Sequence, residues 1–220
     1  MKKIVCLMLM LVLAFSMVSC GGGSNEGDAA RDALLEMAVS ANPTKIAAVS
    51  AYVVSDTEAY NGSYTMQVEG NDSIFNFSYE RRATVAEQAD GMKVTVEGVV
   101  YYKDGLYSYD GEEWDSEAPS AIKLDFNLDA ALFESCTVAT DGNSLTATVT
   151  GENIAKVLGS ALDVDGAVTI TVITNGTYLS RVEVEYKTVG GATVTVDTTY
   201  TYDAITLEFP GEEPEDSDAE

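Results

Sequence analysis

The sequence predicts an α+β domain in which a long, curved antiparallel sheet wraps around a few amphipathic helices. From Ser63 onward, apolar and polar residues alternate in many short segments, which is typical of antiparallel strands with one buried and one solvated face. Residues 29–41 and 152–162 instead carry apolar residues at helical spacing. These two helices are therefore the candidates to cover the apolar face of the sheet.

The first predicted helix follows Asp28, a suitable N-cap residue, and ends before Pro43. Between Pro43 and residue 60 the sequence is compatible with a second helix or with a strand, and it does not distinguish them. The apolar residues of the two predicted helices each share one face: Ala30, Ala33, Leu34, Met37, Ala38 and Ala41 in the first, and Ile154, Val157, Leu158, Ala161 and Leu162 in the second.

The strands of the C-terminal part can be paired from their apolar residues, because register must bring apolar side chains onto one face. A three-residue loop at 174–176 places Val168, Ile170 and Val172 on one face with Tyr178, Val182, Val184 and Tyr186. A three-residue loop at 189–191 places Tyr186 beside Val194 and Val184 beside Val196. The same face continues through Tyr200 and Tyr202, and Ile205, Leu207 and Phe209 predict a last short strand. Earlier alternating segments carry Tyr64, Met66 and Val68, then Phe75, Phe77 and Tyr79, then Met92, Val94 and Val96.

The stretch YYKDGLYSYDGEEW, residues 101–114, concentrates four tyrosines and the only tryptophan of the chain. If both Asp-Gly pairs form two-residue turns, Tyr102 pairs with Tyr107, Val100 with Tyr109 and Tyr107 with Trp114. One interpretation is an aromatic ladder inside a sheet. The other is the wall of a site for an apolar ligand, where tyrosine hydroxyls suit a partly wet surface.

The residue content excludes several classes of enzyme. The chain has no histidine, so histidine-activated nucleophiles and histidine-ligated metals are excluded. No Walker or Rossmann glycine motif occurs. Residues 125–129 resemble the start of a calcium loop, but Ala130 and Cys136 stand where glycine and glutamate are required. We therefore expect a non-catalytic protein without catalytic residues, cofactor or metal, and we interpret the carboxylates around Trp114 as a solvated hairpin end.

The chain is strongly acidic, with 36 acidic against 12 basic residues and a net charge of −24. Such a surface repels phosphate groups, so we expect no nucleic-acid partner. Residues 211–220 are acidic and almost without apolar residues, which predicts a disordered tail. We expect the protein to be a monomer.

The N-terminus resembles a bacterial lipoprotein signal. Lys2 and Lys3 precede an apolar run at 4–15, and SMVSC is followed by GGGSNEGD, although Met17 stands where leucine is usual. The resemblance implies cleavage before Cys20 and lipidation of its sulfur; an ordinary secretory signal is the alternative. Only Cys136 would then remain as a free thiol. The predicted organisation is a signal peptide at 1–19, lipidated Cys20 and a flexible tether at 20–28, a folded domain at 29–210, and the tail at 211–220.

The order of elements from Ala29 to Pro210 resembles lipoproteins of the LolA-like superfamily, which includes outer-membrane lipoprotein carriers and LppX/LprG-type lipoproteins. The resemblance rests on YYKDGLYSYDGEEW, on the helix GENIAKVLG, and on the closing strands VEVEYKTVGGATVTVDTTYTYDAITLEFP. It implies a half-barrel of strands closed by helices around an apolar cavity. The implied cavity wall comprises Tyr102, Tyr107, Tyr109, Trp114, Tyr178, Tyr186, Tyr200 and Tyr202.

Two functions remain open. The first is an exported lipoprotein, anchored to a membrane of the bacterial cell envelope on its extracytoplasmic face, that binds a lipid or another hydrophobic ligand. The second is a structural or interaction lipoprotein with a filled core, which contacts another envelope component through its acidic outer face. Alanines on the first helix would let it lie close to the sheet, which favours the second function.

Overall fold

The structure, a computed structural model, describes residues 24–83, 92–116, 128–133, 135–158 and 164–210. The predicted signal peptide, Cys20, the acidic tail, most of the calcium-like segment and the end of the second predicted helix lie outside these residues.

The described residues are mostly strand. They contain helix α1 (Ser24–Ala38), helix α2 (Asn153–Leu158) and a short 3₁₀ helix (Ala130–Leu132). The ten strands form one antiparallel sheet in the order β5-β4-β3-β2-β1-β10-β9-β8-β7-β6. There is less helix than the α+β prediction implies. The strands are β1 (Lys45–Ser55), β2 (Glu58–Glu69), β3 (Asp72–Arg82), β4 (Lys93–Lys103), β5 (Leu106–Ser108), β6 (Ser135–Val138), β7 (Ser144–Thr150), β8 (Val164–Thr174), β9 (Leu179–Thr188) and β10 (Thr193–Thr201).

The segment 43–60, which the sequence left undecided, is largely strand β1. Helix α1 begins at Ser24, inside the predicted tether, so Asp28 lies within the helix and does not cap it. The chain divides into two compact units. Of the described residues, the first unit comprises 24–42, 50–59, 128–133, 135–158 and 164–199, and the second comprises 43–49, 60–83, 92–116 and 200–210.

The first unit has a filled aliphatic core. Helix α1 packs against β6, β7, β8 and β9, and α2 packs against β7. The predicted face of α1 is confirmed for Ala30, Leu34 and Ala38, and the structure adds buried Leu35. Burying side chains of this kind stabilises a fold by about 1.5–3 kcal/mol each. Side chains with no exposed surface fill the core: Leu34, Leu145, Val149, Val157, Val168, Ile170, Val172 and Val182.

The shared apolar face predicted for the last three strands of this unit is confirmed, but the predicted register holds only between β9 and β10. Val168 lies opposite Tyr186, Ile170 opposite Val184 and Val172 opposite Val182. Tyr186 in turn lies opposite Val194 and Val184 opposite Val196, as the three-residue loop at 189–191 requires. Polar residues occupy the other face, where Arg181 forms two hydrogen bonds with Asp197, of 2.7 and 2.6 Å.

The loop between β8 and β9 is longer than predicted. Thr174 pairs with Leu179, and the register shifts between Ile173 and Thr174. The Asn175 side chain accepts hydrogen bonds from the backbone N–H groups of Thr177 and Tyr178, at 3.0 and 2.9 Å. This asparagine turn makes a four-residue loop at 175–178. Tyr178 therefore lies in the loop, 36% exposed, instead of on the apolar face.

The second unit contains antiparallel pairs from β2 to β5. A two-residue turn at 70–71 joins β2 to β3 and sets Glu69 opposite Asp72. Met92, which was predicted to begin the alternation of β4, precedes that strand and is 65% exposed.

Residues 202–210 form no strand, so the predicted last strand is wrong. We call this segment the strap. The Leu207 N–H donates a hydrogen bond of 2.9 Å to the Glu69 carboxylate, and the Thr44 hydroxyl donates one of 2.7 Å to the Asp203 carbonyl. Leu207 and Phe209 are buried against Ile74, with Val99, Tyr101, Trp114 and Ile205 packed around them.

We predict that Thr198→Val stabilises the protein by about 1 kcal/mol. Thr198 lies opposite Val182 in the core of the first unit and is fully buried, and its hydroxyl has no hydrogen-bond partner among the residues that the structure describes. Valine keeps the shape and removes an unsatisfied polar group. Urea unfolding should give a higher midpoint with an unchanged m-value.

Thr174→Val is the matched control. Thr174 is also buried, at 4% exposure, but its hydroxyl donates a 3.2 Å hydrogen bond to the Asn143 carbonyl. This variant should be less stable than the wild type by about 1 kcal/mol. A loss of stability in both variants would show that the Thr198 hydroxyl is satisfied in solution.

Candidate functional site

One face of the β2–β4 sheet in the second unit is aromatic and aliphatic. Register sets Tyr64 opposite Phe77 and Met66 opposite Phe75. Because side chains alternate between the two faces of a strand, a single face collects the residues that we call the aromatic face. These are Tyr64, Met66, Val68, Phe75, Phe77, Tyr79, Val96, Val100, Tyr102 and Tyr107.

Four rings of this face form a continuous row. The centroids of Tyr64 and Phe75 are 6.2 Å apart, those of Phe75 and Phe77 6.0 Å, and those of Phe77 and Tyr79 6.2 Å. Their planes are tilted by only 15–29° relative to one another. The row therefore presents a strip of aromatic carbon along β3.

The aromatic face is only partly buried. Phe75 and Val100 are 7% and 6% exposed, whereas Tyr64, Phe77 and Tyr79 are half-buried. A partly exposed apolar surface with tyrosine hydroxyls suits a ligand that is largely apolar. Burial raises the pKa of the Tyr102 hydroxyl on this face.

Glycine makes room for the ring row. Gly98 lies opposite Phe77, and the Phe77 ring extends over it. A Cβ atom at Gly98 would lie 2.7 Å from Cζ of Phe77, which is too close for two carbon atoms. The position of the ring therefore depends on the absence of a side chain at residue 98.

Of the eight predicted wall residues, Tyr102, Tyr107 and Tyr109 lie together. The predicted pair of Tyr102 with Tyr107 is confirmed, with ring centroids 6.5 Å apart. Tyr107 and Tyr109 are in edge-to-face contact at 5.7 Å, but β5 ends at Ser108, so Tyr109 does not pair with Val100. Tyr109 is 57% exposed.

Trp114 lies on the other face of the sheet. Tyr107 pairs with Asp115 and not with Trp114, and the one-residue difference turns the indole towards the strap. Its ring centroid is 6.2 Å from that of Phe209. The predicted ladder of Tyr102, Tyr107 and Trp114 on one face is therefore wrong.

The loop before Trp114 explains the difference. The Ser108 hydroxyl accepts a hydrogen bond from the Gly111 N–H at 2.8 Å, and Asp110 accepts from the N–H groups of Glu112 and Glu113 at 2.9 and 3.0 Å. These backbone hydrogen bonds, Glu113 first, lower the pKa of Asp110. Gly111 has a φ of +80° and no side chain where Pro210 packs. Side-chain hydrogen bonds thus replace the expected two-residue turn with a larger loop.

The remaining predicted wall residues are divided between the units. Tyr178 and Tyr186 belong to the first unit, and Tyr200 and Tyr202 to the second. Tyr186 is half-buried on the apolar face of β9, and burial, with a smaller contribution from Tyr52, raises its pKa. Tyr200 and Tyr202 are half-buried at the end of β10 and the start of the strap.

Sequence reasoning missed the ring row of the aromatic face. The alternation of Tyr64, Phe75, Phe77 and Tyr79 was used to predict strands but not a site. The signal was present as four aromatic residues at alternate positions of two strands joined by a short turn.

One other predicted feature has an ordinary structural role. Asp129, at the end of the calcium-like segment, caps the 3₁₀ helix by accepting a 3.0 Å hydrogen bond from the Ala131 N–H.

Within the described part of the chain, no three histidine, cysteine, aspartate or glutamate side chains are grouped to hold a metal ion. In that same part, no helix has both the length and the apolar character needed to cross a bilayer.

No protein-family model and no curated protein matches the chain significantly. Among solved structures, the chain is similar to a LolA superfamily protein from Nitrosomonas europaea, with 9% identity, 81% of this chain and 94% of that chain covered, and a TM-score of 0.29. It is also similar to an S-type phycobiliprotein lyase from Guillardia theta (11% identity, 79% and 93% covered, TM-score 0.31) and to a DUF1329 family protein from Desulfovibrio piger (13%, 82% and 95%, 0.32). TM-scores below 0.5 do not establish a shared fold, so the LolA-like resemblance stays a prediction.

We predict that Gly98→Ala destabilises the protein by about 1–3 kcal/mol, because its methyl group displaces the Phe77 ring. Near-ultraviolet circular dichroism should show a changed aromatic signal, and urea unfolding should give the loss of stability. Gly190→Ala is the control, since a Cβ atom there lies 3.6 Å from the Thr188 hydroxyl, an ordinary contact. Equal effects of the two substitutions would contradict the close packing of Phe77 on Gly98.

We predict that Cys136 is a slow nucleophile in the folded protein. Burial raises the pKa of its thiol, and nearby Arg31 offsets only part of this rise. The thiolate is the reactive form, so alkylation by iodoacetamide at pH 8 should be several-fold slower than in the same chain unfolded in urea. Mass spectrometry of the peptide that contains Cys136 measures both rates, and equal rates would show an unshifted pKa.

Proposed function

We propose that this protein is an exported, non-catalytic lipoprotein of the LolA-like type. In this proposal, lipid on Cys20 anchors it to a bacterial membrane on the extracytoplasmic side, and the folded domain, a monomer, binds a lipid or another hydrophobic molecule. The observation that supports ligand binding is the aromatic face of the second unit. Its ring row combines apolar area with incomplete burial, which is the chemistry that an apolar ligand requires.

The aromatic face is less completely buried than the core of the first unit. In the first unit, Val168, Ile170 and Val182 have no exposed surface at all. In the second, Phe77 and Tyr79 retain part of their accessible surface although they lie in the centre of a strand. A bound apolar molecule would remove this area from water at about 25 cal/mol per Å².

A second candidate function is that of a structural or interaction lipoprotein that contacts another envelope component through an acidic outer face. The filled core of the first unit favours this reading, because helix α1 occupies the apolar face there with Leu34, Leu35 and Ala38. In this case the aromatic face serves stability only, and no apolar ligand accompanies the protein.

One mass-spectrometric experiment tests both parts of the proposal. The full chain is expressed in a bacterium, extracted from the membrane fraction in detergent, and measured under denaturing and native conditions. We expect the denatured mass to show cleavage before Cys20 and a covalent lipid, both absent from a Cys20→Ala variant. We expect the native mass to exceed the denatured mass by a species that organic extraction identifies as lipid.

Paired variants on β4 localise the ligand. Val96 faces Tyr79 on the aromatic face, whereas Thr95 is exposed on the opposite face of the same strand. Val96→Asp should lose the co-purified lipid and Thr95→Asp should keep it, because only the first carboxylate would lie against the ligand. If Val96→Asp does not fold, Val96→Thr adds a smaller polar group at the same place. A wild-type protein without any released mass after incubation with mixed membrane lipids would favour the second candidate function.

A further inference from the structure

The face of the β2–β4 sheet opposite the aromatic face contains a trough. Side chains from three adjacent strands line it: Ser63 and Thr65 from β2, Asn76 and Ser78 from β3, and Glu97 and Val99 from β4. Phe77 and Gly98 complete its lining, and its volume is about 400 Å³. We call it the polar trough. Neither proposed function involves it.

The trough is a consequence of register and side-chain length. Ser63, Ser78 and Glu97 lie in one row across the three strands, and Thr65, Asn76 and Val99 lie in the next. Most of these side chains are short, so the sheet surface here lies below the longer side chains around it.

Longer and bonded side chains bound the trough at both ends. At one end Glu80 forms an ion pair of 3.3 Å with Lys93 and accepts a hydrogen bond of 3.2 Å from the Asn61 amide. At the other end Tyr101 packs against Phe209 of the strap, with ring centroids 6.3 Å apart. Val99 belongs both to the trough and to this aromatic cluster.

Within the part of the chain that the structure describes, the polar groups of the trough are unused. The side chains of Ser63, Thr65, Asn76, Ser78 and Glu97 form no hydrogen bond or ion pair with any residue that the structure describes. Their polar neighbours on the same face are engaged, since Glu80 bonds Asn61 and Lys93, and Glu69 bonds the Leu207 N–H. The trough thus offers hydroxyl and amide groups that donate and accept, together with one carboxylate that accepts.

We propose that the polar trough binds a neutral carbohydrate. Sugar hydroxyls both donate and accept hydrogen bonds, which matches the mixed character of the hydroxyl, amide and carboxylate groups. Val99 and the Thr65 methyl group supply apolar contact for the C–H groups of a sugar ring. The net charge of −24 and the Glu97 carboxylate disfavour an anionic ligand. The trough is shallow and open to solvent, so a sugar would contact it with one face only.

This inference does not depend on the proposed binding of a hydrophobic ligand, because the two faces carry different side chains of the same strands. Failure of either proposal leaves the other standing.

Saturation-transfer NMR with the full chain in detergent tests the proposal, since it detects weak ligands of large particles. The probes are maltotriose, cellotriose and chitotriose, with trigalacturonic acid as the anionic comparison. We expect transfer to at least one neutral trisaccharide at millimolar concentration, and weaker or no transfer to the anionic one. Absence of transfer to all three neutral sugars would overturn the proposal.

Substitutions show whether binding occurs in the trough. Thr65→Val combined with Asn76→Leu removes a hydroxyl and an amide at nearly constant volume, and it should weaken binding about tenfold or more. Thr148→Val is the matched control, because Thr148 is an exposed threonine of β7 outside the trough. If the double variant does not fold by circular dichroism, Thr65→Val alone replaces it. Unchanged affinity in a folded trough variant would place the sugar elsewhere and refute the assignment.

Discussion

The pairing of β3 with β4 fixes the chemistry of both faces of the second unit. Ile74 lies opposite Tyr101 and Phe75 opposite Val100, so the apolar residues of β3 are divided between two faces. A slip of one residue would exchange those faces on one strand and not on the other. The two-residue turn at 70–71 carries the same constraint to β2. The aromatic face and the polar trough therefore exist only in this one register.

Antiparallel pairing produces a different kind of apolar face in each unit. In the first, one face of the strands is aliphatic and helix α1 covers it, which leaves side chains such as Ile170 and Val182 without exposed surface. In the second, the apolar residues of the aromatic face are mainly rings, and they are incompletely buried. Filled aliphatic packing resists insertion of a ligand. Half-buried rings give up few protein contacts when a ligand replaces the water around them. This contrast is why a ligand is proposed for the aromatic face and not for the core under α1.

The aromatic stretch at 101–114 shows how a loop decides which face a side chain occupies. The first Asp-Gly turn behaves as expected, and Tyr102 meets Tyr107. At the second, Ser108 and Asp110 bind backbone N–H groups and enlarge the loop. Trp114 consequently moves to the other face, where it meets Phe209. The tryptophan then helps to hold the strap and takes no part in the aromatic face.

The sequence by itself determined the alternating strands β2 to β4 and β8 to β10, part of the apolar face of α1, and the register of β9 with β10. Val184 and Val196 could be aligned because burial of one face restricts the register. Only the tertiary structure decided that 45–55 is a strand, that Tyr178 lies in a loop, and that Leu207 and Phe209 form a strap instead of a strand. Side-chain period is a local property that a sequence records directly. Loop length depends on side-chain hydrogen bonds to the backbone, and the covering of a face depends on residues more than a hundred positions away, as in the bond from Leu207 to Glu69. Neither leaves a periodic signal in the sequence.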